Sequence, residues 1–229
     1  METRTALVTG AAQGLGQEFA VALAGRGYRV AGLDTVPQPQ TAGRVLDYVE
    51  LVADVTDGMH VRRSLERVIE RFGTLHVLVT VARALPEADF EDLTPGEWRR
   101  VMGAGLDVPF LLARAVLPYL KAAGWGRIVN VVPPAVRPPG VARVAAQAGL
   151  SGFTRSLAAA LRPYGITVNA IVPGAVRTGA GRTADADGGR VRVAPRTRER
   201  SGLVSSLLHL VDEGGGSVTG QTLEVSGGA

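Results

Sequence analysis

The sequence predicts an α/β fold, a doubly wound parallel sheet of seven strands with helices on both faces. Three observations predict it: apolar, β-branched runs of strand length recur along the chain, most are continuous rather than alternating, and helical segments separate them. Continuous apolar runs mark strands covered on both faces, and strand–helix alternation is the pattern of a parallel sheet. The runs fall at 6–9, 28–33, 49–53, 75–81, 127–132, 166–172 and 222–225. Between the third and fourth, Val61, Leu65, Val68, Ile69 and Phe72 recur at helical spacing behind the possible caps Thr56 and Asp57. That is one face of an amphipathic helix. A long helix is expected from Trp98 onward, and Leu150, Phe153, Leu157 and Leu161 mark another that ends near Pro163 to Gly165. One irregular stretch, 174–200, exceeds the length of an ordinary connection and reads as a functional loop or a disordered one.

Composition bounds the rest. The 229 residues are 46% hydrophobic and 5% aromatic and contain no cysteine. A chain of this size buries roughly 70% of its unfolded surface, so a single domain over 1–229 needs no disulfide or structural metal. Met1-Glu2-Thr3-Arg4 runs straight into Ala6-Leu7-Val8, without the layout of a signal peptide, and no uninterrupted apolar run approaches the ~20 residues of a membrane span. A cytoplasmic protein with no membrane partner is the expectation. The net charge of +4 is concentrated: residues 177–200 carry seven arginines against Asp185, Asp187 and Glu199. One arginine-rich loop, rather than a basic face along helices, argues against nucleic acid as a partner.

The first strand runs into Thr9-Gly10-Ala11-Ala12-Gln13-Gly14-Leu15-Gly16 and then a helix. A glycine turn there lets backbone N–H groups and a helix N-terminus meet a pyrophosphate. The second strand ends at Asp34, about 20 residues on, where a carboxylate bonds adenosine ribose hydroxyls and repels a 2′-phosphate. NAD is therefore the expected cofactor, in preference to NADP. The structural alternative is a turn that only closes tightly, with Asp34 as a solvated strand end.

These residues resemble the short-chain dehydrogenase/reductase family, a Rossmann-type fold, over nearly the whole chain. The resemblance is carried by Thr9 to Gly16, Asp54-Val55, Trp98, Gly126-Arg127-Ile128-Val129-Asn130, Val168-Asn169-Ala170-Ile171-Val172-Pro173-Gly174, Thr178, Thr219-Gly220-Gln221 and Gly227-Gly228. It is nearest the subset of 3-ketoacyl carrier-protein reductases and NAD-dependent dihydrodiol dehydrogenases. The resemblance implies a cofactor site of Gly10, Gln13, Gly14, Leu15, Gly16, Asp34, Asp54, Val55, Ala82, Pro173, Gly174 and Thr178. In it Asp54 would contact adenine and Thr178 the nicotinamide carboxamide.

The same resemblance implies a catalytic Tyr, a Lys four residues later, a Ser and a helical Asn, because hydride transfer to a carbonyl makes an alkoxide that must be protonated as it forms. The sequence holds one lysine, Lys121, and its tyrosines, Tyr28, Tyr48, Tyr119 and Tyr164, are followed four positions later by Gly32, Val52, Ala123 and Val168. Anchoring on Ala148-Gly149-Leu150 puts Arg143 at the Tyr position and Gln147 at the Lys position. Arginine is not a useful proton donor near neutrality, and a glutamine amide has no charge with which to depress a neighbour's pKa. No Ser, Thr or Tyr occurs from Gly124 to Arg143; Val132 or Pro133 stands near the Ser position, and the Asn position falls at about Gly105. The family's Asn-Asn-Ala-Gly becomes Thr80-Val81-Ala82-Arg83, whose Arg83 would crowd a nicotinamide.

Arg143 and Gln147 share a helix face, and with Arg83 and Arg137 they would make a guanidinium-lined pocket suited to an anionic or carbonyl small molecule. On the alternative these arginines point outward. Three functions follow: a partner or scaffold that keeps the fold and NAD(H) site without ordinary carbonyl reduction, in a homo-oligomer or with a related dehydrogenase; an enzyme of altered chemistry, such as a cyclase, isomerase or lyase, with 177–200 as its lid; or an atypical NAD-dependent oxidoreductase taking its proton from water or substrate. The first is favoured. His60, His76 and His209 lack metal-ligand spacing, so no metal is expected. A likeness to halohydrin dehalogenases fails, because those relatives need the Ser and Tyr missing here.

Overall fold

The computed structural model describes residues 3–83, 85, 88–132, 140–173 and 196–225, with the side chains of 196–199 excepted. Seven strands form one sheet: β1 (Thr5–Thr9), β2 (Arg29–Asp34), β3 (Val49–Val52), β4 (Val77–Val81), β5 (Gly126–Val131), β6 (Ile166–Pro173) and β7 (Thr222–Val225). Their order is β3-β2-β1-β4-β5-β6-β7 and every pairing is parallel. Each strand lies within two residues of its apolar run. The chain reverses its direction of winding between β1 and β4, and such a switch opens a crevice beyond the carboxyl ends of the strands.

Two helices cover one face. Phe19 and Leu23 of α1 (Gly14–Gly25) and Leu203, Leu207 and Leu210 of α7 (Arg196–Val211) pack with Ala6, Val8, Val77, Val79 and Val129. The other face carries α3 (Gly58–Phe72), α5 (Val108–Ala123) and α6 (Val141–Leu161), whose Leu65, Leu112, Val116 and Leu161 meet Leu7, Leu33, Leu78 and Ile128. Each fully buried leucine of these layers is worth about 1.5–3 kcal/mol of transfer free energy.

Local signals fix the ends. Of the two candidate caps for α3, Asp57 is the cap: its Oδ1 accepts from the N–H of Met59 at 2.7 Å and of His60 at 3.3 Å. Thr56 bonds Asp54 instead. Gly73 closes α3 at φ 78°, a left-handed conformation that only glycine adopts without strain. After α6 a single 3₁₀ turn, Arg162–Tyr164, hands the chain to Gly165, as the Pro163–Gly165 signal predicts.

Five features depart from expectation. A short helix, α2 (Pro39–Ala42), interrupts the β2–β3 connection. The helix expected from Trp98 starts three residues earlier, as α4 (Pro95–Met102), on a capping box of Thr94 and Glu97, and continues through a π-turn, Gly103–Asp107, into α5. The stretch Pro95–Ala123 is long and apolar enough to cross a membrane by length and composition, which a count of uninterrupted apolar residues misses. Here Leu112, Val116 and Leu120 are buried on the sheet instead. The irregular stretch ends early, because α7 begins at Arg196; Arg200 is helical and pairs with Glu18 at 2.6 Å. His76 precedes β4 rather than lying in it, and its Nδ1 accepts from the Thr5 N–H at 3.1 Å.

Candidate cofactor and active site

The expected cofactor residues that fall within the description stand along the carboxyl ends of the strands: Gly10 to Gly16 after β1, Asp34 ending β2, Asp54 and Val55 after β3, Ala82 after β4 and Pro173 ending β6. Gly174, Thr178, Pro133 and Arg137 lie outside the described residues.

The glycine turn is shaped by three separate demands. Gly10 has φ 65° and Gly14 φ 60°, so both need freedom from a Cβ. A Cβ on Gly16 would stand 2.1 Å from the Gly10 carbonyl oxygen and 2.8 Å from that of Thr9, so the third glycine lets α1 rest on the turn. Around Gly14 there is open space where a side chain would be. Gln13, at the N-cap of α1, makes no side-chain capping bond, and the first turn holds no acid. Among the described residues no side chain caps the helix N-terminus, which carries the partial positive charge that suits a phosphate. A diphosphate of a dinucleotide fits this cradle.

Asp34 is held in place beside it. Its Oδ2 accepts from the Ala12 N–H at 2.9 Å and its Oδ1 from the Thr35 N–H at 2.7 Å. Asp54 accepts at Oδ1 from the backbone N–H and hydroxyl of Thr56, at 2.9 and 2.7 Å, and these bonds hold its carboxyl below the usual range. Sequence reasoning missed the side chains behind the turn. Thr41 and Gln38, both fully buried, reach the turn and the sheet from the β2–β3 connection. The only signal was a polar pair in an otherwise unpatterned, proline-containing loop. Gln38 is further fixed by the hydroxyl of Tyr48, whose pKa is pushed up chiefly by burial.

At the other end of the crevice α6 faces the α4–α5 turn. Arg83, Leu85, Gly105, Val132, Arg143 and Gln147 line one pocket. The residues assigned to the family's Tyr, Lys and Asn positions and to one of two Ser candidates are therefore brought together. The described lining contains no hydroxyl and no ammonium. Arg143 does not present its guanidinium to a wide cavity: Nη2 donates to the Leu85 carbonyl at 2.8 Å, and the enclosed space is about 20 Å³, on the scale of one water. Arg83 is exposed at the pocket's edge. The packing at the π-turn is close: a Cβ on Gly105 would lie 2.8 Å from the Ala146 Cβ, and one on Gly149 3.0 Å from Leu106. Below, the Thr80 hydroxyl donates to Asn130 Oδ1 at 2.7 Å and ties β4 to β5.

A wider cleft of about 680 Å³ lies at the opposite, amino ends of the strands, among Arg4, Tyr28, Trp125 and Glu213. An Arg4–Glu213 ion pair spans it, and Arg4 stacks 3.6 Å from the Trp125 ring. None of the expected site residues that are described lines it. Among the described residues no group of His, Asp and Glu has the arrangement of a metal site.

Comparison with known proteins agrees with this architecture. Residues 4–188 match the family model of the short chain dehydrogenases. The 3-oxoacyl-[acyl-carrier-protein] reductase FabG of Escherichia coli is 31% identical over 239 aligned positions, covering 99% of this chain and 97% of the relative. The trans-4-hydroxycyclohexanecarboxylate dehydrogenase of Sinomonas cyclohexanicum is 33% identical, covering 98% and 92%. Among solved structures, acetoin dehydrogenase YohF from Salmonella typhimurium superposes with a TM-score of 0.81 at 27% identity over 99% of this chain and 96% of that one. The TT0495 protein from Thermus thermophilus gives 0.79 at 33% identity over 98% of each. Members of this family usually bind NAD(P)(H). With its all-parallel seven-stranded sheet and its match over most of its length, the chain belongs to the short-chain dehydrogenase family of oxidoreductases.

Proposed function

We propose that this chain binds NAD(H) at the glycine turn but does not perform the family's ordinary carbonyl reduction, and acts instead as a dinucleotide-responsive partner of its own or a related chain. The observation that carries the proposal is Arg143: it occupies the pocket wall where the family's acid is expected, and its guanidinium is engaged by the Leu85 carbonyl. When bound, the dinucleotide would supply or accept hydride. Gly10, Gln13, Gly14, Leu15 and Gly16 would hold its diphosphate, Asp34 its ribose, Asp54, Val55 and Ala82 its adenosine half, and Pro173, Gly174 and Thr178 its nicotinamide half. Asp34 favours NAD over NADP by charge. What this chain's residues lack, among those described at the pocket, is a group that gives a proton to a nascent alkoxide near neutral pH. Losing general acid catalysis costs about 10²–10⁴-fold. A partner role is supported by the apolar surface of α5 and α6, where Phe110 and Val144 are 45% and 48% exposed.

Steady-state oxidation of NADH with diketones and acyl thioesters, run beside an intact family member, tests this. The expected rate is at least a hundredfold lower, and a comparable rate overturns the proposal. Calorimetric titration with NAD and NADH tests the cofactor separately, and absence of heat at millimolar ligand refutes it. A second reading, altered chemistry on an anionic substrate, is favoured by the convergence of Arg83, Arg143 and Gln147 on one pocket. Arg137 would add to that set, and loss of an activity in Arg143→Ala without loss of fold would establish it.

A further inference from the structure

The Ala11 carbonyl and the Ala12 N–H belong to one peptide unit of the glycine turn, and a different side chain holds each end. The Thr41 hydroxyl donates to the Ala11 carbonyl oxygen at 2.6 Å, and Asp34 Oδ2 accepts from the Ala12 N–H at 2.9 Å. Thr41 Oγ1 in turn accepts from Gln17 Nε2 at 3.0 Å, which leaves the hydroxyl hydrogen directed at Ala11. The bonds therefore run in one sense, from the Gln17 amide through Thr41 and the peptide to the Asp34 carboxylate. Hydrogen bonds aligned in series polarise one another, so each member strengthens the donor that Ala12 offers to Asp34.

We infer that Thr41 is a positioning residue of the dinucleotide site: it fixes the Ala11–Ala12 peptide against rotation and, through that peptide, sets the Asp34 carboxylate. A flipped peptide would point a carbonyl at a carboxylate and leave Thr41 facing an N–H, so the observed orientation is the one both side chains select. Asp34 Oδ1 accepts from the Thr35 N–H and, at 3.5 Å, from the Thr35 hydroxyl, whereas Oδ2 accepts from the Ala12 N–H and keeps a second acceptor position for a ribose hydroxyl. Thr41 itself is placed by Gln38, whose backbone carbonyl accepts from Thr41 N at 3.0 Å and whose side chain donates to the Gly32 and Leu51 carbonyls at 3.3 and 2.9 Å. Because Thr41 is fully buried, it acts on the cofactor only through the turn.

The inference rests on the dinucleotide reading, and two measurements separate them. In Thr41→Val, which keeps the shape and removes the donor, NADH binding weakens about tenfold, the size of one lost hydrogen bond, and the Ala12 amide exchanges with solvent faster. Thr41→Ser restores both to within about twofold of the unsubstituted protein. Gln17→Ala, at the surface of α1, gives a smaller shift in the same direction and serves if Thr41→Val does not fold. Unchanged Ala12 exchange in Thr41→Val, or a Thr41→Ser protein as impaired as Thr41→Val, overturns the inference. If the unsubstituted chain binds no NADH, the cofactor reading falls, and the exchange measurement still decides the role of Thr41.

Discussion

At the β1–α1 end of the crevice the backbone is left open and side chains stand behind it, whereas at the α4–α6 end a side chain has closed over the backbone. Among the described residues nothing fills the space at Gly14 and no side chain caps α1, while Thr41 and Asp34 brace the turn. Across the crevice Arg143 lies on the Leu85 carbonyl and little volume remains. The contrast separates two reasons for keeping a glycine. Gly16 is required by packing whether or not a ligand ever arrives, so its retention says little about binding. The uncapped helix end is different, because a helix in an ordinary protein gains about 1 kcal/mol from a capping side chain, and this one forgoes it where a diphosphate would sit.

Three measurements press on that contrast. The largest effect belongs to Gly16→Ala, whose Cβ would stand 2.1 Å from the Gly10 carbonyl oxygen. Overpacking against backbone costs about 3 kcal/mol, so calorimetry should show a thermal midpoint lowered by roughly 6–12 °C without any ligand present. A midpoint within 2 °C, as an order of magnitude, would mean that the turn relaxes and that Gly16 is kept for the cofactor after all. The next is Arg143→Met, which removes the donor to Leu85 and costs about 1–2 kcal/mol. On the proposed function it opens the pocket without producing NADH-dependent carbonyl reduction; appearance of that activity would show Arg143 to be a plug over competent machinery.

The smallest effect is a pH dependence shared by both ends. Backbone N–H bonds hold Asp57 and Glu97 below their ordinary values of 3.8 and 4.5, and Asp54 is lowered in the same way. A depressed carboxyl stabilises the fold above its unfolded value and loses that contribution as pH falls through the folded one. The thermal midpoint should therefore decline below roughly pH 4.5, and Asp57→Asn should decline less steeply than the unsubstituted protein. Equal slopes would place the acid sensitivity elsewhere.

The sheet was legible because its strands are buried on both faces and announce themselves as unbroken apolar runs. Asp57 and the turn at Gly165 were legible because caps are local chemistry. The α4 start at Thr94 was readable in principle, since Thr94-Pro95-Gly96-Glu97 is a capping-box pattern, but Trp98 drew the boundary three residues late. The π-turn and α2 were not readable: one depends on how α6 presses on Gly105, the other on buried bonds of Gln38 and Thr41 across the sheet. The beginning of α7 was obscured by arginines, which mask its apolar stripe of Leu203, Leu207 and Leu210. At the site, residue types located the glycine turn, while the bond from Arg143 to Leu85 depends on three-dimensional approach.

The contact between Gly105 and Ala146 ties the π-turn to α6. With 2.8 Å between the Ala146 methyl and the position of a new Cβ, a larger residue at 105 forces α6 and the turn to shift apart. A side chain introduced at 105 therefore has to displace α6 or meet a smaller residue at 146, which couples the two positions energetically.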